Sequence, residues 1–164
     1  MRLGFFLLFV FFLEVMAEES RLKMGVETSA KTEMELYREI LNREVATRQD
    51  LYDLLAMQFL EFEKEGGPQK RNKALAARGI TLEEDTAQPV SRGEVARALL
   101  EAYDFEKGWL FWLTRWEFYA MRDIQQLGIM EDKYTFHQKL TGRQLVAILT
   151  KAQEAKERQD KWQK

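Results

Sequence analysis

Three stretches of this chain begin in the same way, and that recurrence limits its architecture more than any other feature. Thr47-Arg48-Gln49-Asp50, Ser91-Arg92-Gly93-Glu94 and Thr141-Gly142-Arg143-Gln144 each open on a hydroxyl residue and carry an acid or amide three places on. Aligned on the hydroxyl, apolar residues fall at offset four (Leu51, Val95, Leu145), seven (Leu54, Ala98, Ile148) and eight (Leu55, Leu99, Leu149). Side chains at those offsets share one face of a helix. The hydroxyl is placed to accept from the third backbone N–H, and Glu94 or Gln144 to return a bond; Asp50, one methylene shorter, is a poorer version of the same box. The pattern predicts three amphipathic helices, over residues 47–62, 91–103 and 141–155.

The rest of the chain falls into place around them. Met34, Tyr37, Ile40, Leu41 and Val45 recur at helical spacing and predict a helix from about residue 32, which either runs into the Thr47 stretch or breaks near it. Gly66-Gly67-Pro68 stops the helix that follows. A short helix over 72–78 is closed by Gly79 as C-cap. Trp109, Leu113, Trp116, Ala120, Ile124 and Leu127 form a single stripe, predicting one long helix that ends at Gly128. Residues 80–90 and 129–140 read as connectors with room for no more than a short extended pair. With two prolines and no sustained alternation of apolar and polar residues, the fold class is all-α. The predicted architecture is a compact bundle of about five to six helices over residues 32–155, followed by a charged tail, 156–164.

Ahead of that domain stands a leader. Met1-Arg2-Leu3 supplies a short positive start, residues 4–13 are an apolar run, and Val15-Met16-Ala17 offers modest or small residues where a signal peptidase reads. Ten apolar residues are too few to cross roughly 30 Å of hydrocarbon, which takes about 20. The expectation is a secretory signal peptide, residues 1–17, cleaved after Ala17, with retention as an anchor the rival reading. Residues 18–31 then form a flexible arm. Localisation follows as exported, periplasmic or envelope-associated, with no transmembrane segment after cleavage. No cysteine is present, which excludes a disulfide framework and thiol chemistry. The 25 basic and 27 acidic residues are interspersed and leave a net charge of −2, so nucleic acid has no electrostatic footprint here.

Agreement upstream of the helix starts points to a family. Arg78-Gly79-Ile80 precedes Ser91, and Leu127-Gly128-Ile129 precedes Thr141, by nearly the same interval; Leu75 and Ile124 match when the two glycines are aligned. The order of short helix ending in Gly-Ile, connector and Ser/Thr-capped helix resembles the surface-layer homology (SLH) domain, a helical module that holds bacterial envelope proteins to cell-wall polymers. The matching residues are Gly128, Ile129, Phe136 and Thr141-Gly142-Arg143-Gln144, then Gly79, Ile80 and Ser91-Arg92-Gly93-Glu94; Thr47-Arg48-Gln49-Asp50 matches the tetrapeptide alone. The third copy lacks Arg at the second position, and the stretch from Trp109 to Tyr119 is atypical. The resemblance implies degenerate SLH-like repeats, a wall polymer as partner, and polymer binding by Arg48 and Arg92, with Arg143 a weaker match. Guanidinium forks suit carboxylate or ketal-acid groups on sugars; the bland reading leaves these arginines in the first helical turn, binding nothing.

The densest apolar stretch is Trp109-Leu110-Phe111-Trp112-Leu113-Thr114-Arg115-Trp116-Glu117-Phe118-Tyr119. Aromatics on more than one face make it either the central core helix or a covered surface. The first is the expectation, with some aromatic surface left over. Trp112, Phe118 and Tyr119 are the candidates for a partner interface, toward another envelope protein or a second copy of the chain. The one histidine, His137, has no metal-ligand neighbours. The acids Glu83-Glu84-Asp85 and Glu131-Asp132 would serve glycan hydrolysis only if a fold brought them face to face, and read as solvated loop charge. No phosphate loop or nucleophile elbow occurs. The expectation is a non-enzymatic protein with no cofactor, no metal and no catalytic residues.

Overall fold

The computed structural model describes residues 33–60, 67–131 and 135–162. The leader, the N-terminal arm, Phe62 and Asp132 lie outside the described residues. Among those described there are seven helices and no strand: α1 (Glu33–Leu41), α2 (Arg48–Phe59), α3 (Pro68–Ala77), α4 (Arg92–Ala102), α5 (Trp109–Thr114), α6 (Glu117–Gln126) and α7 (Gly142–Trp162). The all-α class is the one the patterning predicts. None of these helices is long and apolar enough to cross a membrane.

The helices pack as three pairs, α2 on α3, α4 on α6 and α7 on α1. Each helix that starts on a hydroxyl cap therefore has one principal partner, and both α2 and α4 also touch α7. All nine residues at offsets four, seven and eight are buried and belong to one core. Between α2 and α3 the core closes over an ion pair: Arg71 donates to Asp53 Oδ1 through Nε (3.0 Å) and Nη2 (2.7 Å). Buried charges persist only when paired in this way.

The partner helices α3 and α6 end alike. Gly79 (φ 86°) and Gly128 (φ 72°) take the left-handed conformation that glycine adopts without Cβ strain. Ile80 N–H then reaches back to the Leu75 carbonyl (3.3 Å), and Ile129 N–H to that of Ile124 (3.2 Å). This closure satisfies terminal carbonyls and turns the isoleucine into the core. Leu75, Ile80, Ile124 and Ile129 are all buried. Helix α1 has no such ending; it stops at Leu41 and the chain reaches Thr47 directly, which settles the break the sequence left open.

Four element boundaries differ from expectation, and the first is the end of α2, which stops at Phe59 with an extended Leu60 as its C-cap instead of running to residue 62. Helix α3 begins at Pro68, four residues before the predicted start, because proline's fixed φ suits the first helical position and its missing N–H would be unpaired there anyway. Helix α7 continues past Ala155 to Trp162, supported on its outer face by an i,i+4 pair between Lys156 and Asp160 (3.0 Å). The long helix predicted from Trp109 is two helices. Arg115 is left-handed (φ 56°) and ends α5; Trp116 N–H is taken by the Thr114 hydroxyl, which itself donates to the Leu110 carbonyl. A hydroxyl that competes for backbone partners is a known cause of such breaks.

The turn reverses which side chains face inward. Beyond it Ala120 and Ile124 are buried as the stripe predicts, but Trp109, Leu113 and Trp116 stand 71%, 65% and 53% exposed. In α5 only Phe111 is fully buried. The expectation of a central core helix holds for α6 and fails for α5.

Candidate site at the junction of the helix starts

The first helical turn leaves four backbone N–H groups without intrahelical partners. Here connector carbonyls take most of those nearest each start. Arg48 N–H donates to Gln88 O (3.0 Å) and Gln49 N–H to Thr86 O (2.9 Å); Arg92 N–H donates to Gln138 O (3.0 Å) and Gly93 N–H to Phe136 O (2.9 Å). Gly142 N–H donates to Arg43 O (3.0 Å). Each start thus takes carbonyls from the segment leading into the next start, and the third takes one from the segment leading into the first. The ring closes on the residues just before the caps: Val90 N–H donates to Ala46 O (2.9 Å) and Ala46 N–H to Leu140 O (2.8 Å). Ala46, Val90 and Leu140 are buried at its centre. Among the described residues the extended pairing is limited to isolated bridges at Thr47–Pro89 and Ser91–Lys139.

All three boxes form. Asp50 N–H donates to Thr47 Oγ1 (3.3 Å) and Thr47 N–H to Asp50 Oδ2 (2.8 Å), so the shorter acid makes the full reciprocal arrangement. Ser91 N–H donates to Glu94 Oε2 (2.6 Å) and Thr141 N–H to Gln144 Oε1 (3.0 Å), each with its return bond.

Around the ring, guanidinium groups meet two of the boxes, and Arg48 does so across starts. Arg48 donates through Nε to Glu94 Oε1 (2.6 Å) and through Nη1 to the Asp85 carbonyl (3.0 Å). Burial alone would push the Glu94 carboxyl up; the Ser91 hydroxyl, the Ser91 N–H and Arg48 together overcome it and hold Glu94 below the usual carboxylate range. The third start has Gly142 where the others have Arg. A Cβ there would lie 1.6 Å from the Ile40 carbonyl oxygen, so the approach of α1 leaves no room for a side chain. The guanidinium facing the first box is supplied instead by Arg43, whose Nε lies 3.3 Å from Asp50 Oδ1.

A second charged layer sits beside Arg48. Arg97 donates to Glu83 Oε1 (2.5 Å) and lies 3.6 Å from Glu117 Oε1, while the Tyr52 hydroxyl accepts from Glu83 N–H (2.8 Å). Burial raises the Glu117 carboxyl above its ordinary range; Arg97 opposes this, and Glu94 and Glu83 add to it. Burial likewise raises Tyr52. Arg97 and Arg43 were not among the residues singled out from sequence. Their partners are contributed by other elements, and only the i,i+4 spacing of Glu39 to Arg43 (2.9 Å) gave a local cue.

The three sequence-predicted arginines have different surroundings. Arg48 is engaged by Glu94 at the junction of the first and second starts. Arg92 is 5% exposed. Arg143 is exposed at the second helical position, one residue past the place equivalent to Arg48 and Arg92, which Gly142 occupies. Of the aromatic candidates, Trp112 and Phe118 are exposed and Tyr119 is partly buried against the core. Phe118 touches three rings, Trp116 in a tilted arrangement (centroids 5.6 Å apart) and Tyr119 and Phe136 edge-on (5.4 Å and 5.9 Å). His137 lies against the Phe136 ring (3.8 Å). Among the described residues no group of His, Cys, Asp or Glu could hold a metal ion. The Glu83 carboxylate is paired with Arg97, which Glu117 also approaches, while the Glu83 backbone N–H donates to the Tyr52 hydroxyl. No protein-family model, curated protein or solved structure matches this chain.

Proposed function

We propose that the chain is an exported, non-enzymatic envelope protein, an SLH-like module that associates with a cell-wall polymer or serves as a small structural component of the periplasm. The observation that carries the reading is the closed ring, in which three capped helix starts are linked in cyclic order and two box acids meet guanidinium groups, Glu94 that of Arg48 and Asp50 that of Arg43. An acidic sugar would compete with Glu94 for Arg48, exchanging one charge-assisted fork for another. The matching Gly-Ile endings of α3 and α6 support the same reading. The test is co-sedimentation with purified cell-wall sacculi. Wild-type chain pellets, and the Arg48→Ala/Arg92→Ala double variant, shown folded by circular dichroism, stays in solution. Retention of that variant at the wild-type level removes polymer binding at the ring.

A second function, docking of the domain through α5, is favoured by the exposure of Trp109, Trp112, Leu113 and Trp116. Wall association predicts sensitivity to arginine removal at the ring, whereas docking predicts sensitivity to Trp112→Ala and Phe118→Ala.

A further inference from the structure

A cleft of about 450 Å³ opens where three segments meet: the close of α3, the loop from α4 into α5, and the close of α5. Among the described residues, none of those that build the ring of helix starts lines it. Each segment brings one cation to the cleft, Arg78, Lys107 and Arg115 in chain order. Among the described residues no carboxylate or carbonyl engages the Arg78 or Arg115 guanidinium; that of Arg115 lies over the Phe111 ring, 5.7 Å from its centroid. The helix ends do not need these side chains either. The N–H groups of Arg78, Gly79 and Ile80 close α3 onto the Leu75 and Ala76 carbonyls, and Arg115 N–H with the Thr114 hydroxyl closes α5 onto those of Phe111 and Leu110.

The two acids of the cleft compete weakly for these cations. Glu101 spends both carboxylate oxygens on Thr81, accepting from its N–H (2.7 Å) and its hydroxyl (3.1 Å). Asp104 lies 3.6 Å from Lys107, but its side chain is 93% exposed against 24% for the lysine, and an ion pair so open to water holds little. Asp104 and Arg115 are also the two non-glycine residues in the left-handed conformation (φ 50° and 56°). Backbone strain of this kind gathers where a fold holds a clamp for a ligand.

We infer that this cleft binds a phosphate group. Cations arriving from three segments approach an anion from different sides, which suits the three outward oxygens of a phosphate rather than the single two-oxygen edge of a carboxylate. The guanidiniums supply planar forks and Lys107 a point charge. Phe59 and Ile80 line the rest of the cleft and offer apolar contact to the carbon skeleton of a phosphate monoester. Inorganic phosphate presents the same oxygens without that skeleton. The inference stands apart from the wall reading, which concerns Arg48 and Arg92.

The test is titration calorimetry of the full chain with inorganic phosphate, glycerol phosphate and acetate at about 0.15 M salt, with amide NMR shifts to locate the bound anion. Phosphate is expected to bind one to one, to shift the amides of Gly79, Lys107 and Arg115, and to bind more tightly than acetate. Glycerol phosphate tighter than inorganic phosphate identifies the monoester as ligand and equal binding identifies the free ion; both outcomes support the site. Arg78→Gln weakens phosphate binding about tenfold, the loss expected for a charge-assisted bond, while Lys151→Gln, at an exposed cation of α7, leaves it unchanged. Arg115→Gly guards against a purely structural effect: glycine takes the left-handed conformation without strain, so thermal stability is kept or raised while phosphate affinity falls by a similar factor. No binding, acetate bound as tightly as phosphate, shifts spread over cations remote from the cleft, or affinity unchanged in both arginine variants overturns the inference. Sacculus sedimentation of the Arg48→Ala/Arg92→Ala variant reads the wall proposal alone, so the two fail separately.

Discussion

The helix starts and the aromatic insert are built on opposite plans. At the starts, most nearby polar backbone groups are met by protein: connector carbonyls, cap hydroxyls and box acids take the first-turn amides, and Ala46, Val90 and Leu140 seal the centre. In α5 Phe111 alone is fully buried, Leu110 is half-buried, and Trp109, Trp112 and Leu113 are exposed. Apolar character alone does not say which region is core. The starts, rich in Arg, Glu and Gln, are the more deeply integrated; the run Trp109-Leu110-Phe111-Trp112-Leu113 is the more exposed. The satisfaction of backbone groups decides between them, because an unmet buried N–H costs as much as a lost hydrogen bond.

Substitutions can break or sharpen that contrast. The largest effect is expected at the one point where the insert joins the core: Phe111→Ala costs about 4 kcal/mol of unfolding free energy, by loss of buried area and the cavity left behind. Gly142→Ala follows, at about 3 kcal/mol, since its Cβ would meet backbone of α1 rather than a yielding side chain. Both are read from urea unfolding, and a Gly142→Ala chain as stable as wild type would refute the close approach. Glu94→Ala removes the cap bond to Ser91 and leaves Arg48 without its carboxylate, for about 2 kcal/mol.

The same carboxyl sets a pH dependence. Glu94 is held below its unfolded value, so its contribution is present above about pH 4.3 and is lost as pH falls through the lower folded value. Glu117 has the opposite sign: its folded value is raised, so protonation on the way down adds stability before Glu94 takes it away. Glu117→Gln deletes that gain and makes the net loss between pH 7 and pH 3 larger than in wild type, measured by thermal unfolding across that range. The smallest effect is at the exposed face of α5, where Trp112→Ala changes stability by less than about 0.5 kcal/mol. A cost near that of Phe111→Ala would mean the two regions are not as different as described.

The capped helices were legible because their signal is local. A hydroxyl, a box acid or amide and three apolar offsets lie within nine residues, and all nine offset positions are in the core. The Gly-Ile endings were legible for the same reason, since positive φ at Gly79 and Gly128 is written into the residue type. What sequence did not disclose depends on neighbours remote along the chain. Arg97 meets Glu83 and Glu117 from separate elements, Asp53 meets Arg71 across a helix pair, and Gly142 stands where others have Arg because α1 crosses it. The break at Arg115 was hidden for another reason: no glycine or proline marks it, and the spacing of Trp109, Leu113, Trp116 and Ala120 runs through it undisturbed. In α1, likewise, Met34 and Tyr37 keep helical spacing yet remain exposed, and only Ile40 is fully buried.

Native-state hydrogen exchange at individual amides tests the contrast most directly. The N–H groups of Arg48, Arg92 and Gly142, which close the ring onto Gln88, Gln138 and Arg43, are predicted to exchange only through global unfolding, while the amides of α5 exchange through local opening of smaller free energy. Ring amides that exchange as fast as those of α5 would contradict the account, because the helix starts would then not be the hub on which the fold is assembled.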